Sequence, residues 1–236
     1  MGESGSGLGI IGYDAYEFVV ADLERSRRFY TAMMDVAEVA RLGERAAAER
    51  GERAVLFAAG KAQCVCVSPS ERGSSGDRWL RRHPDGVRTV GFRVRDVEHT
   101  RRILSERGAT MCTDLMAADD QQGQPYRWFD IATPLGDVRF RFVERAADGL
   151  PPGFAPVEPM GQANRHRFQV IDHITSNLLT IHPHATWLRG IMGFEEYWRV
   201  HFHTADINSE SGGSGLASIV MWDSESGIKL ANNEPV

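Results

Sequence analysis

Apolar and polar residues alternate along most of this chain, and where the alternation lapses a helical period takes over. Residues 13–20 (YDAYEFVV) read as a strand. Asp22 then offers its carboxylate to the unpaired N–H groups of a first helical turn. Beyond it, ADLERSRRFYTAMMDV sets Leu23, Ser26, Tyr30, Met33 and Met34 on one face, which predicts a core-facing helix. Strands are expected at 36–42, 53–59 and 62–68, and residues 71–86 read as a loop with a short helix. The order then repeats. A strand at 87–94 leads to Asp96, cap of the helix VEHTRRILSERGA, and strands near 110–116, 126–132 and 138–144 follow. A strand, a helix and three strands, twice over, predict an α+β fold of repeated βαβββ units, two of which can form a half-open barrel around one cleft.

Residues 146–167 (AADGLPPGFAPVEPMGQANRHR) break the pattern. Pro151, Pro152, Pro156 and Pro159 oppose a helix or a central strand and favour an extended tether. The expected organisation is a flexible leader at 1–12, a first domain at 13–145, a linker at 146–167 and a second domain from 168 to 236. In that second domain the theme restarts with a strand at 168–177, a helix at 183–192 and strands at 195–204 and 215–222, and residues 227–236 begin another. The second domain is thus expected to hold half of the pattern that the first completes.

The net charge of -5 gives no basic face of the kind nucleic acid requires. No apolar run approaches the ~20 residues of a membrane span, and MGESGSG has no signal-peptide core. Gly2 with Ser6 matches a loose myristoylation pattern, but the stretch reads as a Gly/Ser leader. Cys64, Cys66 and Cys112 form neither a disulfide framework nor a zinc pattern, which fits a reducing cytoplasm. Cys64 and Cys66 share a strand face as small hydrophobes.

The candidate chemistry lies in FQVIDHITSN, where Val170 and Ile171 lead into Asp172 and His173. A histidine near the end of an apolar strand can hold its imidazole in a dry pocket as a metal ligand, or serve as a satisfied structural residue. GYDAYEFVVADLERSRRFY, VIDHITSN, SGLASIVM and GIKLANNEPV occur in that order. Together they resemble the 4-hydroxyphenylpyruvate dioxygenase family of the vicinal oxygen chelate superfamily, to which 4-hydroxymandelate synthase is related. The resemblance implies an Fe(II)-dependent dioxygenase that converts 4-hydroxyphenylpyruvate and O2 to homogentisate and CO2 in tyrosine catabolism, with iron on two histidines and a carboxylate. It implies His173 as the first iron ligand, Ser218 and Asn233 as substrate-pocket residues, and a homo-oligomer built through the first domain. It assigns no further catalytic group in this chain. Asp172 is either a partner behind the imidazole or a surface residue.

By the same resemblance, the first domain carries Ala15, Thr89 and Arg141 at the three ligand positions, so it is expected to be metal-free. Those positions are spaced by 74 and 126 residues. Projected from His173, the missing histidine and glutamate fall near about 247 and about 299. The chain therefore reads as a piece of a longer protein, inactive alone. Within the chain, His182 with His184, His201 with His203, and the carboxylates of Glu195, Glu196, Glu210 and Glu234 are the weaker ligand candidates; no spacing singles out one carboxylate, and Glu234 is expected on the strand face opposite Asn233. Two other functions fit the pattern: 4-hydroxymandelate synthase, whose pocket is typically apolar where Asn233 stands, and a non-catalytic small-molecule-binding protein of the superfamily.

Overall fold

The computed structural model describes residues 5–160, 163–206, 210 and 213–236. Its first unit runs β1 (Ile10–Val19), α1 (Leu23–Arg28), β2 (Ala37–Leu42), α2 (Glu44–Arg50), β3 (Glu52–Ala59) and β4 (Ala62–Pro69). After α3 (Ser75–Leu80), the second unit runs β5 (Gly86–Val94), α4 (Val97–Glu106), β6 (Met116–Asp119), β7 (Pro125–Ala132) and β8 (Arg139–Arg145). These strands and β9 (Phe154–Met160) form one sheet in the order β6-β7-β8-β5-β1-β4-β3-β2-β9. Each unit's first and fourth strands are parallel neighbours, and β1 and β5 join the units antiparallel. The third unit comprises β10 (His173–Asn177), α5 (His182–Trp187), β11 (Glu195–His203), β12 (Gly215–Trp222) and β13 (Lys229–Pro235). Its sheet, β10-β13-β12-β11, repeats the strand order of one unit. It therefore has half the strands of a paired half-barrel, and among the described residues nothing pairs with β10 on the side where β5 pairs with β1.

Asp22 Oδ1 accepts from Arg25 N at 2.9 Å and Asp96 Oδ1 from His99 N at 3.0 Å, so both caps form as expected. The first helix does not keep its period. Residues 29–33 form a π-turn, with five residues per closed turn instead of four, which rotates the following side chains. Leu23 is buried, but Met33, assigned to the core stripe, is 66% exposed.

Four other expectations need correction. Of the expected leader, residues 1–4 lie outside the described residues and the rest is packed in part: Leu8 is buried, and Ser6 N donates to Asp223 Oδ1 at 3.1 Å. The strand expected at 110–116 is a single bridge at Met111, and β6 begins only at Met116. Within the Pro-rich stretch, β9 pairs antiparallel with β2 at the sheet edge, where Pro156 and Pro159 cost no central ladder bond. Lastly, β10 starts at His173. Residues 168–172 are irregular because Gln169 O is held by Lys61 N at 2.6 Å and Phe168 packs against the cluster that contains Phe57, leaving Val170 60% exposed. His173 thus opens its strand instead of closing it.

One core spans both sheets. Phe92, Phe129, Phe140 and Phe142 of the first pack in a cluster with Leu188, Met192, Ile219 and Met221 of the third unit. Helix α5 and the π-turn at 188–192 lie in that seam, and Glu234 Oε2 accepts from Ile181 N at 2.7 Å at the start of α5. Glu234 therefore does face away from Asn233.

His184, also in the seam, is 2% exposed and stacked on Trp187 with ring centroids 6.0 Å apart. Neither ring nitrogen has a partner among the described residues. Burial lowers its pKa from 6.5 to about 4. As pH drops below 6.5 the unfolded chain takes up the proton first, so the fold loses stability until about pH 4, by at most about 3 kcal/mol. Replacing His184 with leucine is expected to flatten that part of the curve in urea denaturation at stepped pH. An unchanged slope would rule His184 out as its source.

Candidate functional site

The third unit's sheet has one face in the core and one outside it. Ile174, Leu230, Ile219 and Met221 belong to the core side. Strand alternation puts His173, Thr175 and Asn177 on the other side, with Lys229, Ala231 and Asn233 on β13 and Ser218, Val220 and Trp222 on β12. Cross-strand register arranges them in rows. Asn177, Asn233, Ser218 and Val200 lie side by side; Thr175, Ala231, Val220 and Trp198 form the next row; His173, Lys229 and Trp222 form the third. His173 stands four residues from the first row, about 13 Å along the strand.

All three residues singled out in the sequence therefore share one face. Ser218 and Asn233 are direct cross-strand neighbours, and Asn233 Nδ2 donates to Asn177 Oδ1 at 3.1 Å. Ser218 is buried, with no hydrogen-bond partner among the described residues for its hydroxyl. The outer strand continues the face with Trp198, Val200 and Phe202, each 38–47% exposed. His201 and His203 alternate to the opposite side and cannot join His173.

His173 is held at one nitrogen. Its Nδ1 lies 2.8 Å from Asp172 Oδ2, and Lys229 Nζ reaches the other carboxylate oxygen at 3.1 Å. The hydrogen bonds from His173 and then Lys229 hold the exposed Asp172 carboxyl below its ordinary value. Lys229 Nζ also sits 5.9 Å over the ring of Tyr197, which packs on Trp222 at 4.7 Å. A carboxylate on Nδ1 fixes the ring and leaves Nε2 as the outward lone pair, the arrangement common behind metal-bound imidazoles. The side chain is 51% exposed, so the pocket has no far wall here.

The first domain has its own hollow, of about 930 Å³, and Ala15, Thr89 and Arg141 all line it. None of the three is an imidazole, carboxylate or thiol. Arg141 instead forms a two-pronged pair with Asp130, Nε to Oδ1 at 2.7 Å and Nη2 to Oδ2 at 2.9 Å. Glu17 accepts from Arg88 Nε at 2.7 Å. Burial opposes its charge, but Arg88 and Arg141 outweigh it and hold the pKa at about 2. The sequence reading passed over Glu17, Arg88 and Asp130. Charged residues alternating on strands that also bury a core were the available signal.

Comparison with known proteins agrees with this architecture. A profile for the glyoxalase/bleomycin resistance protein/dioxygenase superfamily matches residues 16–125. The 4-hydroxyphenylpyruvate dioxygenase of Hordeum vulgare is 30% identical over 194 residues, which cover 79% of this chain and 42% of that protein. That of Dictyostelium discoideum is 29% identical over 170 residues, covering 66% and 43%. That of Coccidioides posadasii is 26% identical over 248 residues, covering 95% and 60%. The chain is a 4-hydroxyphenylpyruvate dioxygenase-like protein of the vicinal oxygen chelate superfamily. A mutant of 4-hydroxymandelate synthase from Streptomyces coelicolor shares the fold, with a TM-score of 0.78, 17% identity, and coverage of 96% of this chain and 63% of that one. The chain spans about half the length of the curated dioxygenases it matches.

Set against the iron that a dioxygenase-like protein implies, the donor set here is incomplete. Among the described residues no three His, Cys, Asp or Glu side chains converge on one point. A single imidazole does not fix Fe(II) in a catalytic geometry, so the described residues alone do not make the metal site. Elsewhere, Cys64 is pushed up to about 12 by burial, which suits a packed thiol and not a ligand. Among the described residues no helix is long and apolar enough to cross a membrane.

Proposed function

We propose that the protein belongs to an Fe(II)-dependent dioxygenase acting on 4-hydroxyphenylpyruvate and O2, and that the open face of the third unit is one wall of its active hollow. The observation that supports this reading is the order of chemistry across the face. An imidazole backed by a carboxylate stands at one end, apolar Val220, Ala231 and Trp198 in the middle, and Ser218 with Asn233 at the other. A ligand with an aromatic middle and polar ends matches that sequence of surfaces. In this reading His173 supplies one iron ligand through Nε2, Asp172 fixes its ring, and Ser218 and Asn233 orient the substrate's oxygens. The other two ligands come from a further βαβββ unit set against β10 as β5 is set against β1. Bound iron would supply the oxygen chemistry, and the protein's task is a dry, shaped wall. Homogentisate and CO2 as products, a place in tyrosine catabolism in the cytoplasm, and a homo-oligomer built through the first domain belong to the same reading.

The full-length protein, loaded with Fe(II) and incubated with 4-hydroxyphenylpyruvate in air, is expected to give homogentisate by chromatography with mass detection, and His173→Ala to give none. Appearance of 4-hydroxymandelate would reassign it to the synthase reaction, against the polar Asn233. An iron-loaded, folded protein that binds the substrate without consuming O2 would favour a binding protein instead.

A further inference from the structure

The hollow of the first domain has no task in the iron reading, yet it is built as a binding site. Glu17 accepts both Arg88 Nε, at 2.7 Å, and Thr89 Oγ1, at 3.2 Å, on Oε1, so Oε2 has no partner among the described residues. Arg141 spends Nε and Nη2 on Asp130 and keeps Nη1. Tyr126 is only 5% exposed, lines the hollow, and its hydroxyl has no partner among the described residues. Its ring meets Trp128 edge-on at 5.6 Å, and Trp79 forms a further aromatic wall.

The charges decide what would fit. Around Tyr126 the charged groups are matched, Glu17 by Arg88, Arg141 by Asp130, and Asp14 by Arg145 at 2.8 Å, whereas Arg50, Arg78 and Arg139 line other parts of the hollow without an ion pair among the described residues. Seated beside Tyr126, a ligand of single charge would leave one of these pairs with an uncompensated like charge in a poorly solvated space. A ligand carrying both signs can use Glu17 Oε2 and Arg141 Nη1 together without upsetting either pair. At about 930 Å³ the hollow lies within the range of small-molecule sites and is too large for a bare ion.

We propose that the first-domain hollow binds a small zwitterion with an aromatic side chain, of the α-amino acid class, its ammonium on Glu17, its carboxylate on Arg141 and its ring against Tyr126 and Trp128. Nothing in this depends on iron or on His173, so the test separates cleanly from that of the dioxygenase reading. Titration calorimetry of this chain at pH 7 with L-phenylalanine as probe is expected to show one saturable site. The analogues 3-phenylpropanoate, which lacks the ammonium, and phenethylamine, which lacks the carboxylate, should each bind at least about tenfold more weakly, because each gives up one charge-assisted contact. Glu17→Gln should weaken L-phenylalanine by a similar factor with the circular dichroism spectrum unchanged. Equal affinity for all three compounds, no binding of any, or full affinity in a folded Glu17→Gln variant would each overturn the proposal. The analogue series uses the unaltered chain, so the proposal stays testable if that variant does not fold.

Discussion

Replacing Arg145 with methionine is expected to destabilise the fold by about 3–5 kcal/mol, the usual cost of leaving a buried charge without its partner. Arg145 and Asp14 pair at 2.8 Å with side chains 6% and 5% exposed, so solvent screens this pair little. The same guanidinium donates to the carbonyls of Ala146, Ala147 and Gly149 and to Gln63 Oε1, tying the strand end of β8 to the chain that leaves it. Methionine fills the volume but leaves Asp14 without its partner and the carbonyls of Ala147 and Gly149 without this donor, while Ala146 O keeps the Gly149 N–H at 3.3 Å. Urea denaturation followed by tryptophan fluorescence checks the figure. A second variant carrying both Arg145→Met and Asp14→Leu should recover part of the loss, since the orphaned carboxylate goes with it. A loss under about 1 kcal/mol in the single variant would mean that the carboxylate finds water there.

Phe142→Ala is expected to cost a further about 3–5 kcal/mol by itself, through lost burial and the cavity left behind. Phe142 is fully buried and stacked on both sides, 5.5 Å from Phe92 and 5.1 Å from Phe129. Its neighbours belong to strands β5 and β7 in one closed cluster, so the gap cannot collapse without moving the sheet. Phe29→Ala gives the contrast. Phe29 sits 43% exposed in the π-turn, and the same substitution there should shift the denaturation midpoint much less. Equal shifts for the two variants would show that the cluster relaxes freely.

Much of this architecture is legible in the sequence, for physical reasons that also mark where the reading fails. Strands such as residues 126–132 and 215–222 are visible as short apolar runs because their middles are buried, at 129–131 and 218–221. Asp22 and Asp96 announce their helices because a cap acts over three residues, within sight of a local reading. Helix α2 was passed over because nothing in ERAAAER is buried, so no apolar stripe marks it. The π-turn at 29–33 is equally silent, since a ring wider by one residue has no compositional signature, and Met33 was misplaced in consequence. The irregular path of residues 168–172 depends on Lys61, more than a hundred positions earlier, which no local window contains.

The candidate site divides the same way. His173, Ser218 and Asn233 were found through ordered motifs, and their common face follows from strand parity alone. The Glu17, Arg88, Arg141 and Asp130 network was not found, because its members come from β1, β5, β8 and β7 and mean nothing until those strands are adjacent.

The stitch between Ser6 and Asp223, 217 positions apart, sets the order in which this protein can be made. Leu8 and Ile10 leave the ribosome well before Ile219, Met221 and Leu230, yet they share a cluster with them. Contacts so far apart in the chain close late. The segment around Leu8 and Ile10 therefore keeps part of its apolar surface uncovered until the third unit is translated, and a chaperone that grips short hydrophobic stretches on nascent chains would find a handle there.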